Sequence, residues 1–372
     1  MEPEDVLSWF LGADLLGAAT LVIEPSWSPR EREAVLDDAR PDVVVTGRPR
    51  SIADSVPRAG DENTPFYLPT TSGSSGGPKV LLRTRASWTR SFAALGRFAD
   101  DGPVLVPGPL SSSLFLFGAL HALWAGHELR LAPRWRPETA CGDATAVHLV
   151  PAMLARLLAV LERRPELRDV CALRTVVCGG AHVGTALRDR FSRVLPDAEL
   201  IEYYGSAEHS LIAIRRRGDA GLRVVPGVET ELRDGVLWVR SPLSFTGYLR
   251  SGRLDPAPEW STVDDLVRWD DSGALEVIGR AGAVVSSGGK LVAAEEVESV
   301  LRGVRGVVDV LVTGTPHPTL GALVTAIVEG SPRLSDLRAA ARAGLEPGKR
   351  PRRWLMTDSL PRTASGKVRR PG

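Results

Sequence analysis

The 372-residue sequence carries almost no charge imbalance: 46 Lys and Arg stand against 45 Asp and Glu, a formal net charge of +1. That removes any bulk electrostatic reason to expect nucleic acid or an anionic membrane as a partner. Cysteine is scarce. Cys141, Cys171 and Cys178 follow no metal-ligand spacing and sit in apolar surroundings, which excludes a disulfide framework or a zinc module and points to a reduced, cytoplasmic protein. No apolar run is long enough to span a bilayer, and the first residues lack the basic start and apolar core of a signal peptide. Internal repeats and low-complexity tracts are missing as well.

What is present is 43% hydrophobic residues, enough for a large core and more than one domain. Apolar positions at helical spacing predict a helix from Glu4 to Leu16. A strand follows at Thr20 to Ile23, then a helix opened by the capping pattern Ser28-Pro29-Arg30-Glu31 and ending near Asp38, then a strand at Val43 to Val45. The alternation continues through strands at Val104, Leu129, Ala146, Thr175 and Leu200, with helices between. The expected fold class is therefore α/β: a large N-terminal domain with mostly parallel sheets covered by helices. Short strands from Gly221 to Tyr248 predict a small β subdomain. The glycine-containing break at Gly279 to Ala283 predicts a boundary, giving an N-terminal core at 1–281 and a small mobile α+β C-terminal domain at 282–372.

The stretch Thr70 to Lys79 lies between the apolar runs Phe66-Tyr67-Leu68 and Val80-Leu81-Leu82, so it reads as a tight loop joining two strands. Gly73, Gly76 and Gly77 let backbone amides turn inward. Thr71, Ser72, Ser74 and Ser75 supply hydroxyls, and Lys79 supplies positive charge: the parts of a polyphosphate cradle. A solvated Ser/Gly linker is the alternative, but it requires neither flanking strands nor the terminal Pro78-Lys79. The Gly-Lys-Ser/Thr order of the P-loop is absent.

Four further stretches are arranged around this one. Cys178-Gly179-Gly180-Ala181 and Tyr203-Tyr204-Gly205-Ser206-Ala207-Glu208 end successive predicted strands, where open parallel sheets bind ligands. Asp264-Asp265-Leu266 precedes Gly279-Arg280, and Leu360-Pro361-Arg362-Thr363-Ala364-Ser365-Gly366-Lys367-Val368-Arg369-Arg370 lies near the C-terminus. In this order the set resembles the motifs of the adenylate-forming superfamily: acyl-CoA synthetases, aryl-CoA ligases, luciferases and peptide-synthetase adenylation domains. The pair Ser87-Trp88 after Lys79 and Arg83 is similar to small bacterial acyl-CoA ligases.

The resemblance implies ATP, Mg²⁺ and CoA as ligands and a carboxylic acid as substrate, converted to an acyl-adenylate and then to a thioester. A carrier-protein phosphopantetheine or an amine is the alternative acceptor, and a nucleotide-binding protein without catalysis the second alternative. By the same resemblance, residues 71–76 and Lys79 would hold the β and γ phosphates, and Lys367 would bridge the acid's carboxylate and the α-phosphate. Glu208 would help hold Mg²⁺. Gly179, Gly180, Ala181, Tyr203, Tyr204 and Gly205 would line the adenine and acyl pocket. Asp265 and Arg280 would grip the nucleotide, Gly282 would be the hinge, and Gly288 and Gly289 would line the thiol tunnel. This chain departs from the family pattern in having Ala207 where threonine is usual, Ser112 in place of histidine and Gly282 in place of aspartate. It is also shorter than a typical member, chiefly in the N-terminal portion and the β subdomain.

Overall fold

The computed structural model describes residues 1–372 except 51–54, 73–77, 99–100, 133, 288–289, 364–365, 367 and 371–372. Its centre is a sheet of seven strands in the order Arg223–Val224, Ser210–Arg215, Glu199–Ser206, Thr175–Cys178, Ala146–Leu149, Val104–Val106, Leu129–Leu131. Every pairing from Glu199–Ser206 to Leu129–Leu131 is parallel, and the two remaining strands are added antiparallel. The inner strands Val104–Val106, Ala146–Leu149 and Thr175–Cys178 are buried at every residue. Such strands must be covered on both faces. Crossover helices Ser113–Ala125, Pro151–Arg163 and Thr185–Val194 supply that cover. Leu154, Leu157, Leu158 and Leu161 on the second of these have no exposed surface; each contributes roughly 1.5–3 kcal/mol by leaving water.

The sheets around this centre are antiparallel in all but one pairing. One joins Pro65–Tyr67, Pro78–Thr84, Gly247–Arg250 and Arg253–Pro256, with Thr70–Ser72 also paired to Pro78–Thr84. Another runs Glu229–Arg233, Val236–Arg240, Asp265–Trp269, Leu275–Arg280. The strands expected to form one β subdomain are thus shared out among three sheets. The fourth sheet, Lys290–Ala293, Val284–Ser287, Gly321–Gly330 and Val307–His317, takes Arg353–Thr357 in parallel on Gly321–Gly330. Together with helices Ala294–Arg302 and Leu334–Gly344 it encloses a separate apolar core of Val292, Val297, Leu301, Val310, Ala326, Val328 and Leu337.

Helix Pro3–Leu15 forms as the spacing predicts, and so does Pro29–Ala39, where Ser28 and Glu31 complete the reciprocal capping box. The strands expected after these helices do not form. Thr20 makes a single bridge to Tyr67, and Val43, Val44 and Val45 stand 74%, 52% and 41% exposed. A β-branched run becomes a strand only against a neighbour, and none pairs with 43–45 among the described residues.

One part of the main core is polar in an unexpected way. His121, His127 and His148 surround the ring of Phe98 at centroid distances of 5.0, 5.6 and 6.0 Å. His121 and His148 are wholly buried, and neither ring nitrogen of His148 has a partner. Burial holds their pKa values down, to about 4 for His121 and about 3 for His148.

Candidate active site

The hairpin between Glu199–Ser206 and Ser210–Arg215 presents Ala207, Glu208 and His209 as its turn. It turns tightly because Gly205 has no side chain: a Cβ there would overlap the carbonyl of Ser210, itself at φ 57°. The turn is anchored from below by Arg83, which is only 1% exposed. Its guanidinium donates to the carbonyls of Ala207 (2.6 Å) and Glu208 (3.1 Å) and to that of Leu243. Burial pushes the Arg83 pKa down to about 9, and the charge of Glu208 offsets part of that. On the other side His209 ties the turn to Ser261, its Nε2 lying 2.9 Å from Ser261 Oγ.

Glu208 is buried, yet its carboxylate has a partner in Tyr248, whose hydroxyl donates to Oε1 at 3.3 Å. The same Tyr248 ring carries Lys79 above its face, the ammonium 5.5 Å from the centroid. Lys79 reaches it because Pro78–Thr84 pairs with Gly247–Arg250, placing Leu81 opposite Tyr248. Across the hairpin Lys79 faces Thr71, and Pro78 faces Ser72. Gly73, Ser74, Ser75 and Gly76 lie outside the described residues. Neither Tyr248 nor the anchoring by Arg83 is marked by the sequence motifs.

Asp265 and Arg280 are cross-strand partners, and Arg280 Nε lies 3.3 Å from Asp265 Oδ1. The second carboxylate oxygen accepts from Tyr204 Oη at 2.5 Å. Burial raises the Asp265 pKa, an effect that Tyr204 and Arg280 reduce and the nearby charge of Glu208 adds to. Gly179 and Gly180 follow strand Thr175–Cys178. The ring of Tyr203 occupies the space a Cβ on Gly179 would need, and Gly180 has φ 81°. Ala181 and His182 are exposed beside them. The two glycines, both tyrosines, Glu208 and Asp265 thus converge at the carboxyl end of the parallel strands, the edge where such sheets bind ligands.

The C-terminal segment reaches the same edge. Arg362 and Gly366 join Pro107, Gly108, Pro109, Phe115, Trp135, Ala152, Met153 and Arg156 in lining a cavity of about 150 Å³. Lys367 lies outside the described residues, as do Gly288 and Gly289 between strands Val284–Ser287 and Lys290–Ala293. On either side of Lys367 the chain is clamped by ion pairs. Arg362 binds Asp309 (2.9 Å) and Glu329 (2.6 Å), and Arg370 binds Glu298 (2.9 Å). These acids are 2–6% exposed, and Arg302 ties Glu298 to Asp309. Burial drives the Asp309 pKa up, but Arg302 and Arg362 outweigh it and hold it below the usual value. Gly282 sits in the short Ala281–Ala283 turn, where Ala281 N donates to Asp264 O at 2.7 Å.

A buried carboxylate with hard oxygen donors, a lysine that follows the Ser/Gly stretch in sequence, and a paired Asp and Arg form a set suited to a magnesium-bound nucleotide. Magnesium is commonly held by one or two carboxylates together with substrate phosphates. Among the described residues no group of three or more His, Cys, Asp or Glu side chains could hold a metal by itself.

Residues 47–249 match the family profile described as AMP-binding enzyme, and residues 296–367 match the AMP-binding enzyme C-terminal domain. The uncharacterized acyl-CoA ligase YhfT of Bacillus subtilis is 29% identical over 411 residues, covering 98% of this chain and 84% of the relative. The 4-chlorobenzoate-CoA ligase of an Arthrobacter species is 29% identical over 359 residues, covering 86% of this chain and 66% of its own length. In fold the chain is similar to the o-succinylbenzoate CoA synthetase of B. subtilis solved with an acyl-adenylate intermediate. The TM-score is 0.83 at 21% identity, covering 99% of this chain and 85% of that one.

Proposed function

The chain belongs to the AMP-binding enzyme family, and on that footing we propose that it is an ATP-dependent acid-CoA ligase that forms AMP. A carboxylate oxygen attacks the α-phosphorus of ATP, pyrophosphate leaves, and the acyl-adenylate is then attacked by the CoA thiol to give the thioester and AMP. The observation that carries this reading is the meeting of Arg362 and Gly366 with the carboxyl edge of the parallel strands, where Val150 lies 4.0 Å from the place a Cβ on Gly366 would take.

The difficulty of the first step is repulsion, since an anion must approach a tetra-anion. Lys79 and the hydroxyls and amides of residues 71–76 hold the β and γ phosphates, and Lys367 bridges the carboxylate and the α-phosphate; positioned charge of this kind lowers the barrier to phosphoryl attack. Glu208 would hold Mg²⁺, whose chemistry there would be to neutralise phosphate charge. Asp265 accepts from the ribose hydroxyls with Arg280 beside it, and the Gly179 to Ala181 and Tyr203 to Gly205 segments take the adenine and the acyl group. Gly288 and Gly289 admit the pantetheine arm of CoA after the unit 282–372 turns about Gly282 relative to 1–281, an exchange of roles by domain rotation. The protein works in the cytoplasm.

The experiment is pyrophosphate release from ATP with a panel of fatty, aryl and dicarboxylic acids, with and without CoA. Release accompanied by thioester is the expected result. Release without thioester would reassign the acceptor to a carrier-protein phosphopantetheine or an amine. No release with any acid would leave a nucleotide-binding protein without catalysis and overturn the reading.

A further inference from the structure

Away from the ligand-binding edge, two of the free cysteines meet. Cys141 closes the short turn Pro137–Cys141, and Cys171 follows the helix Pro165–Asp169. Their backbones are joined directly beside the thiols, Ala172 N donating to Gly142 O at 3.3 Å. Cys141 Sγ points at Pro137 O (3.5 Å) and Cys171 Sγ at Ala140 O (3.8 Å), so both sulfurs sit within the same turn. Ala140, whose carbonyl faces Cys171 Sγ, is the residue immediately before Cys141. Their environments differ. Cys141 is buried, whereas Cys171 is half-exposed next to Arg174, whose guanidinium is fixed on the carbonyl of Leu173 at 3.1 Å.

We propose that Cys141 and Cys171 are a hydroperoxide-responsive dithiol that closes to an intramolecular disulfide, with Cys171 the attacked thiolate and Cys141 the resolving thiol. The neighbouring Cys141 thiol lowers the Cys171 pKa, with help from the Leu173 amide and Arg174 against burial, while the Cys141 thiol is pushed up. Partial exposure together with a lowered pKa is what makes one cysteine of a pair react first. The Cys171 thiolate attacks the distal oxygen of the hydroperoxide: an S–O bond forms, the O–O bond breaks, and the displaced alkoxide or hydroxide takes a proton from solvent and departs as alcohol or water. The resulting sulfenic acid is attacked by the Cys141 sulfur. An S–S bond forms, and the sulfenic hydroxyl leaves as water with the proton from Cys141. Overall, two thiols are oxidised by two electrons and one hydroperoxide is reduced. Cys178 is fully buried with no exposed surface, and takes no part.

The test treats the intact protein with hydrogen peroxide, alkylates it under native conditions and maps the products by mass spectrometry. The expected result is a peptide pair linked through Cys141 and Cys171, reversed by dithiothreitol, with Cys178 alkylated only after unfolding. In Cys141→Ser the disulfide should be replaced by a Cys171 sulfenic acid trapped by dimedone. In Cys171→Ser the oxidation of Cys141 should slow by about tenfold or more, because the exposed thiolate is gone. Recovery of Cys171 as free thiol or sulfinic acid while Cys141 stays reduced would overturn the proposal, as would equal oxidation rates in both variants. None of these readouts uses ligation activity, so their outcome is independent of the proposed function.

Discussion

The two parts of the candidate site are secured by different physics. Glu208 rides on a turn fixed by a buried arginine, a glycine crossing and the apolar core beneath it. The segment that carries Lys367 is instead pinned at both ends by ion pairs to Asp309, Glu329 and Glu298 on a separate core. Packing tolerates little adjustment, while ion pairs set in one module allow that module to be carried as a unit against its neighbour. The exchange proposed above, in which a nucleotide is held still while a lysine gives way to a thiol channel, would be served by this division.

The comparison is tested most severely by Lys367→Ala. Loss of that charge should lower acyl-adenylate formation by about 100-fold or more, with thiolysis of supplied acyl-adenylate largely retained. Equal loss in both half-reactions would place Lys367 in both steps and remove the reason for a rotating module. On the packed side, Arg83→Met should leave several buried carbonyls without donors and cost about 3 kcal/mol in urea unfolding. An unchanged midpoint would show that the turn is not held as described.

Acid reaches the packed core as well. His121 and His148 have folded pKa values of about 4 and about 3 against 6.5 for the free side chain, so the unfolded state binds more protons below pH 6.5. Stability is then complete above that pH and lost as pH falls, by on the order of 3 kcal/mol for each histidine at pH 4. Melting temperature should drop steeply between pH 6.5 and 4, and His148→Leu should flatten the slope. The smallest effect is expected at the clamp. Arg362→Ala should slow adenylation about tenfold, close to 1.4 kcal/mol of barrier, more than it slows thiolysis, with partial rescue by Arg362→Lys. A loss shared equally by both half-reactions would mark the clamp as merely structural.

Legibility in the sequence followed the same division. Gly179, Gly205, Glu208 and Asp265 stand out because each does something at a strand end that no other residue type does, whether backbone approach or paired oxygen acceptors. The central helices are legible from their apolar spacing. Val43 to Val45 misled because β-branching states a preference for a pleated surface and cannot say whether a neighbour is there to pair with. Strand Arg353–Thr357 was missed since Arg352, Arg353 and Met356 obscure the alternation. Arg83 and Tyr248 act through contacts made 125 and 40 positions away on the chain, and no local pattern encodes those.

Tyr248 gives up its ring face to a cation and its hydroxyl to a carboxylate. A lysine and a carboxylate in direct contact would neutralise one another and would have to be pulled apart before a phosphate or a metal could use either. Occupying both with one uncharged side chain replaces that strong mutual bond by two weak ones. Lys79 and Glu208 therefore each rest against Tyr248, so the phosphate and metal binding proposed for them would have only a tyrosine contact to displace from each.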